Sequence, residues 1–194
     1  MINQNFDPER DVPDDVAAAF LDYMYTVVDI PVGTELYKLT SYGLPFADGP
    51  DAGLSAWWSA VKPFREDTVG MRGRYLEAVM NQIPFRQMVR FASAVRGDWN
   101  SLDDYQEIML LEPARGIWGR YTPQPVWSPT MSDRGALQAV KSDLNQSIGN
   151  LPGTLGGNDA WQFWIPNLTL NDVEVRHTIN TDDATGMAAR FNML

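Results

Sequence analysis

The segment from residue 156 to residue 167 reads Gly156-Gly157-Asn158-Asp159-Ala160-Trp161-Gln162-Phe163-Trp164-Ile165-Pro166-Asn167. Two glycines favour a turn, a run of large apolar residues interrupted by one glutamine follows, and a proline ends it, so the pattern predicts a buried strand. Successive side chains of a strand point to opposite faces, which places Gln162 on the same side as Trp164. The other side carries the apolar side chains of Trp161, Phe163 and Ile165.

The amide of Gln162 needs an explanation if this strand is buried. A buried amide is unfavourable unless it is hydrogen-bonded. Gln162 is therefore predicted either to bond a partner inside the fold or to face a cavity in which a ligand supplies that partner. The spacing of the residues is compatible with both interpretations.

The strand resembles a late strand of the mono-ADP-ribosyltransferases. In that family it carries Glu-x-Glu, two apolar residues and Ile-Pro, and the second glutamate is catalytic. The run from Ala160 to Pro166 is similar, with Gln162 in the catalytic place. Some NAD-hydrolysing toxins of the same fold are similar in having glutamine there after a Gly-Gly turn. The resemblance implies that Gln162 is catalytic and that NAD is the substrate.

Two earlier segments add to this resemblance. Leu36-Tyr37-Lys38, in a strand predicted over residues 35–40, is similar to a Leu-Tyr-Arg strand whose arginine grips an NAD phosphate or ribose. Ser55-Ala56-Trp57-Trp58-Ser59 matches the position of a serine strand that holds the nicotinamide ribose. The resemblance implies a catalytic and NAD-binding role for Lys38, and NAD contacts for Tyr37, Ser55 and Trp57. The structural alternatives are an exposed strand lysine and a tryptophan pair in the core.

Lysine is an imperfect substitute for arginine at position 38, because it keeps the charge and loses the planar two-pronged geometry that binds phosphate. A second cation for the phosphate contact is offered by the helices predicted between residues 68 and 96. Arg86, Arg90 and Arg96 concentrate positive charge on the second of these helices. Arg90 is a candidate for the phosphate contact, and a solvated helix surface is the alternative.

Composition limits the possible partners and cofactors. The net charge of −10 disfavours a nucleic-acid groove and an anionic membrane surface, since both require concentrated positive charge. The chain has no cysteine, which excludes disulfides and thiol catalysis. Its single histidine, His177, excludes a multi-histidine metal site, and no metal cofactor is expected. Without a signal-peptide pattern, we expect synthesis in the cytoplasm and any export through a machine that reads no N-terminal signal.

The order of the predicted elements indicates the fold class. We predict one domain over residues 1–194, with a flexible lead-in at 1–13 and a loosely attached tail at 180–194. A helix is predicted over 14–28, a hairpin from strands at 105–111 and 116–121, a helix from Ser132, and a strand pair after Pro166. The expected class is α+β, and the resemblance implies an ADP-ribosyltransferase-like core of two small, mainly antiparallel sheets with flanking helices.

The sequence therefore supports three functional hypotheses. The first is a bacterial toxin-like effector domain that cleaves the nicotinamide–ribose bond of NAD, as a glycohydrolase or a mono-ADP-ribosyltransferase, with a protein acceptor and a cognate immunity protein as implied partners. The second is an acidic immunity or inhibitor protein that binds a basic enzyme, which the net charge favours. The third is a transferase fold that binds without catalysing.

Overall fold

The computed structural model describes residues 1–44, 49, 52–80, 82, 84–96, 99–125, 154–155 and 161–193. The helix predicted from Ser132 and the Gly156-Gly157 turn lie outside the described residues. The described helices are α1 (Pro8–Asp11), α2 (Asp14–Ala18), α3 (Gly70–Met80), α4 (Phe85–Ala92) and α5 (Ala184–Arg190). None of them is long and apolar enough to cross a membrane.

Nine strands are described in addition to these helices. They are β1 (Phe20–Ile30), β2 (Glu35–Thr40), β3 (Trp57–Ala60), β4 (Asp104–Leu110), β5 (Ala114–Tyr121), β6 (Gln124–Pro125), β7 (Thr154–Leu155), β8 (Trp161–Trp164) and β9 (Val173–Asn180). Seven form one sheet in the order β1-β5-β8-β3-β2-β4-β9, and β6 pairs with β7. All of these strand pairs are antiparallel. The predicted α+β class is confirmed.

The sheet is continuous, whereas two small sheets were predicted. The four strands β1, β5, β8 and β3 join the three strands β2, β4 and β9 through a short contact between β3 and β2. That contact consists of the pairs Leu36↔Ala60 and Tyr37↔Ser59. Because the pairing stops after Tyr37, the end of β2 that carries Lys38 is not paired with β3.

Three local predictions are wrong. The predicted helix over 14–28 ends at Ala18, and strand β1 follows it, because the β-branched and aromatic residues of this stretch pair with β5, for example Thr26 with Trp118. Strands β4 and β5 do not form a hairpin. Their partners lie in opposite parts of the sheet: β4 pairs with β2 and β9, and β5 pairs with β1 and β8. One strand, β9, forms where a pair was predicted.

Both chain ends are packed, where the sequence predicts a flexible lead-in and a loose tail. At the N-terminus, Asn3 Nδ2 donates to the carbonyls of Arg115 at 3.0 Å and Pro166 at 2.7 Å. At the C-terminus, Met187 and Phe191 are buried against α3, α4 and the sheet. The composition of these two segments does not predict their contacts, because one asparagine and two apolar residues are enough to anchor short segments.

Candidate functional site

The three segments that carry the resemblance lie on three neighbouring strands at the centre of the sheet. Gln162 is on β8, Trp57 is on β3 and Lys38 is on β2, and these strands are adjacent in the order β8-β3-β2. Ser55 lies two residues before the start of β3. Positions more than a hundred residues apart in sequence are thus brought to one region of the fold.

A cavity of about 220 Å³ opens where β2 and β3 cease to pair. Four of the predicted site residues line it: Tyr37, Lys38, Ser55 and Trp57. Further walls come from Trp58, from apolar side chains of α4 and the loop after it, and from the polar side chains of Ser59, Ser93 and Tyr121. The cavity therefore combines flat aromatic surfaces with a few polar groups, as small-ligand sites do.

Lys38 is a half-buried cation in this cavity. Its Nζ lies 4.9 Å from the centre of the Trp58 ring, within cation–π range. Burial lowers the pKa of Lys38 to about 8. No carboxylate among the described residues forms an ion pair with it. By contrast, Lys62 Nζ lies 3.0 Å from Glu35 Oε2.

Gln162 lines a second, adjoining cavity of about 390 Å³. The two cavities share walls formed by Trp57, Ser93, Val95 and Tyr121. Gln162 is 1% exposed, and within the described part of the chain its Nε2 has no hydrogen-bond partner. An unsatisfied buried amide donor costs free energy, which a ligand oxygen in the cavity would recover.

The strand register separates the side chains of Lys38 and Gln162. Directly paired residues of antiparallel strands point to the same face, and successive residues alternate. Gln162 precedes Phe163, the partner of Trp58. It therefore shares the face of Ser59 and Tyr37, whereas Lys38 shares the face of Trp58. The resemblance implies that Gln162, Lys38 and Ser55 serve one NAD molecule in one cleft, and the structure instead distributes them between two adjoining cavities.

Arg90 does not line either cavity. It is 3% exposed, and its guanidinium donates to the carbonyls of Val95 at 3.2 Å and Asn100 at 3.0 Å. These bonds hold the loop after α4 against the helix. The arginine that the sequence offers as a phosphate contact therefore has a structural role at the back of the site.

Behind the cavities lies a set of hydroxyl groups that was not predicted from the sequence. The buried phenol of Tyr37 lies near the Ser59 hydroxyl and the Arg74 guanidinium. The phenol of Tyr121 lies near Ser59 and Ser93, and burial raises the pKa of both tyrosines. The one indication of these groups in the sequence is the alternation of β3, which places Ser59 on the face of Trp57. No sequence pattern indicates Tyr121.

A buried ion pair lies beside these hydroxyl groups. Arg74 donates to both carboxylate oxygens of Asp67 at 3.0 Å, and the two residues are 7% and 3% exposed. Asp67 also accepts from the backbone N–H groups of Val69 and Gly70 at the start of α3. The pair fixes the segment that leads into α3 against the first turns of that helix.

No protein-family model, curated protein or solved structure matches this chain. The function is therefore inferred from the arrangement of the side chains in and around the two cavities.

Proposed function

We propose that this chain is an NAD-consuming domain with an ADP-ribosyltransferase-like arrangement, and that it cleaves the bond between nicotinamide and ribose. The observation that supports the proposal best is the convergence of three segments. The Leu-Tyr-Lys, Ser-Ala-Trp-Trp-Ser and Gln-containing segments resemble that family in sequence, and they lie side by side at the centre of the sheet beside two adjoining cavities.

The chemistry of the first cavity fits an anionic ligand with flat rings. Lys38 has no carboxylate partner among the described residues, so a ligand phosphate would supply the missing counter-charge. Trp57 offers an aromatic face on which a base or a nicotinamide ring can stack. A ligand that occupies both cavities must have two linked parts. A dinucleotide is such a ligand.

Gln162 supplies the chemistry at the other end. Breaking the nicotinamide bond develops positive charge on the ribose, and we expect the amide oxygen of Gln162 to accept a hydrogen bond from the ribose 2′-hydroxyl while its Nε2, unpartnered among the described residues, donates to another ligand oxygen. An amide contributes a dipole where a glutamate would contribute a full charge. Activation of a protein nucleophile is therefore weak, which favours water as acceptor and glycohydrolase activity over transfer.

The test is NAD loss from a solution of the purified full chain near neutral pH. Gln162→Ala should lower kcat, because contacts with the developing cation exist chiefly in the transition state. Gln162→Glu restores the carboxylate usual in the family, and should keep cleavage or gain transfer to an added acceptor. Lys38→Ala should raise KM by about ten- to a hundredfold, the value of a charge-assisted contact of about 1.5–3 kcal/mol.

The matched control is Gln87→Ala. Gln87 is also a buried glutamine with an unpartnered amide atom in the described structure, yet it lines neither cavity. NAD cleavage by this variant should equal that of the wild type. Full cleavage by Gln162→Ala would show that Gln162 is structural, and no cleavage by the wild type would contradict the proposal.

The acidic-inhibitor hypothesis predicts a different result in cells. An inhibitor of a basic enzyme should be harmless when it is expressed in the bacterial cytosol, and it should bind a basic partner through its surface carboxylates. An NAD-consuming domain should be toxic, and the toxicity should be relieved in Gln162→Ala.

A further inference from the structure

We propose that Lys38 is a covalent amine site for small aromatic aldehydes that carry an anionic group. Its Nζ attacks the carbonyl carbon of the aldehyde and forms a carbon–nitrogen double bond, an imine. The amine gives up both N–H protons and the carbonyl oxygen leaves as water, so the step needs no further reactant. This reactivity goes beyond NAD cleavage and does not depend on it.

The surroundings of Lys38 suit such a ligand. The cavity of about 220 Å³ is the right size for a substituted six-membered ring, and the half-buried indole of Trp57 gives that ring a surface to stack on. Lys38 lines the same cavity with its Nζ 4.9 Å from the centre of the buried Trp58 ring, so an aldehyde held in the cavity comes within reach of the amine. The anionic group fits because, among the described carboxylates, none is paired with Lys38.

The protonation of Lys38 makes the attack chemically reasonable. Imine formation requires the neutral amine, which in ordinary lysines is very scarce at neutral pH. Because burial lowers the pKa of Lys38 to about 8, roughly a tenth of its molecules carry the neutral amine near pH 7, against fewer than about one in a thousand for an ordinary lysine. Desolvated lysines are the usual imine-forming residues of enzymes.

The chain provides its own comparison. It contains three lysines, Lys38, Lys62 and Lys141, and the last lies outside the described residues. The side chain of Lys62 is 76% exposed and its ammonium is paired with Glu35 at 3.0 Å. If exposure alone governed labelling, Lys62 would react first. Labelling of Lys38 above that of Lys62 would therefore show that the cavity around Lys38 promotes the reaction.

The probe is pyridoxal 5′-phosphate, an anionic aromatic aldehyde. The full-length protein is incubated with it near neutral pH, the imine is reduced to a stable amine with borohydride, and the labelled peptides are quantified by mass spectrometry. Lys38 should be labelled about tenfold or more over Lys62, with saturation at high probe concentration. Neutral pyridoxal should label Lys38 less, and equal labelling would overturn the anionic requirement.

Two charge-preserving variants complete the test. Lys38→Arg should abolish the saturable labelling, and Lys62→Arg should leave it unchanged. Labelling of Lys38 no greater than that of Lys62 in the wild type would overturn the proposal without any variant. Protection of Lys38 by NAD would support a shared site, whereas strong labelling without protection would contradict the NAD placement and leave the amine site standing.

Discussion

Replacing Lys38 with methionine should stabilise the protein near neutral pH. Methionine is unbranched and apolar, and fills roughly the same space without the charge. The folded protein keeps a half-buried ammonium that has no carboxylate partner among the described side chains, and burial is what lowers the pKa of Lys38 from 10.5 to about 8. Folding therefore costs free energy wherever that amine is protonated in both states.

The size of the effect follows from this shift of the pKa. A difference of about 2.5 units, at about 1.36 kcal/mol each, gives an upper bound of about 3.4 kcal/mol. Solvent reaches part of the side chain, and screening reduces the cost to about half. Loss of the cation–π contact with Trp58 removes about 0.5–1 kcal/mol of stabilisation. The burial cost is larger, which leaves a net gain of about 1 kcal/mol, or about 2–4 °C in Tm for a chain of this length.

The stability difference between Lys38→Met and the wild type depends on pH, and this dependence identifies the charge of Lys38 as its cause. Between the folded pKa of about 8 and the unfolded value of 10.5, the unfolded wild type binds more protons than the folded protein, so its stability rises with pH. The advantage of Lys38→Met should therefore be full below about pH 8 and absent above about pH 10.5. Urea unfolding followed by tryptophan fluorescence at both ends of this window measures it.

Lys62→Met is the matched control. It removes an exposed lysine and its ion pair with Glu35, a surface interaction worth about 0–1 kcal/mol, and should be neutral or slightly destabilising. A Lys38→Met protein that is less stable than the wild type near pH 7 would refute the reasoning. So would a gain in stability that is the same at both ends of the pH window.

Two further substitutions test the fold around the site, and both are measured by urea unfolding. Arg190→Met leaves the Glu107 carboxylate, which is 1% exposed, without its guanidinium and should cost about 3–5 kcal/mol; adding Glu107→Gln should recover part of the loss. Gly116→Ala places a Cβ 2.5 Å from the carbonyl oxygen of Trp164 and should cost about 2 kcal/mol or more, whereas Gly53→Ala, which meets open space, should change stability by less than about 0.5 kcal/mol.

The sequence predicts elements whose pattern is local. The alternation around Gln162 correctly assigns its face of β8, and the apolar spacing after Pro84 correctly predicts α4. Strand β2 is found over the predicted residues 35–40. In each case the deciding interactions lie within a few residues of the chain, so the pattern is sufficient.

Features that depend on distant partners could not be predicted in this way. The stretch after Ala18 fits a helix by spacing, and becomes a strand because β5 lies beside it. The separation of Lys38 from Gln162 depends on the register of two strand pairs, which no local pattern contains. Arg90 has the spacing of a surface residue, and is buried because the loop after α4 folds over its guanidinium.

The pattern of satisfied and unsatisfied polar groups is what distinguishes the site from the rest of the interior. The buried ionic residues Asp67, Arg74, Arg90 and Glu107 each have hydrogen-bonded partners. Among the described side chains, the glutamines 87, 106 and 162 each leave one buried amide atom unpartnered, so an unpartnered amide alone is a weak indication of a site.

Of these three glutamines, only Gln162 lines one of the two adjoining cavities, and the other cavity holds Lys38 without a carboxylate partner in the described structure. In the described part of the chain, Asp67, Arg74, Arg90 and Glu107 have partners, whereas the ammonium of Lys38 and Nε2 of Gln162 have none and lie at two adjoining cavities. A ligand with an anionic group and a hydrogen-bond acceptor would satisfy both. We infer that the protein gives up stability here to bind such a ligand, which is why removing the charge of Lys38 should strengthen the fold and weaken binding together.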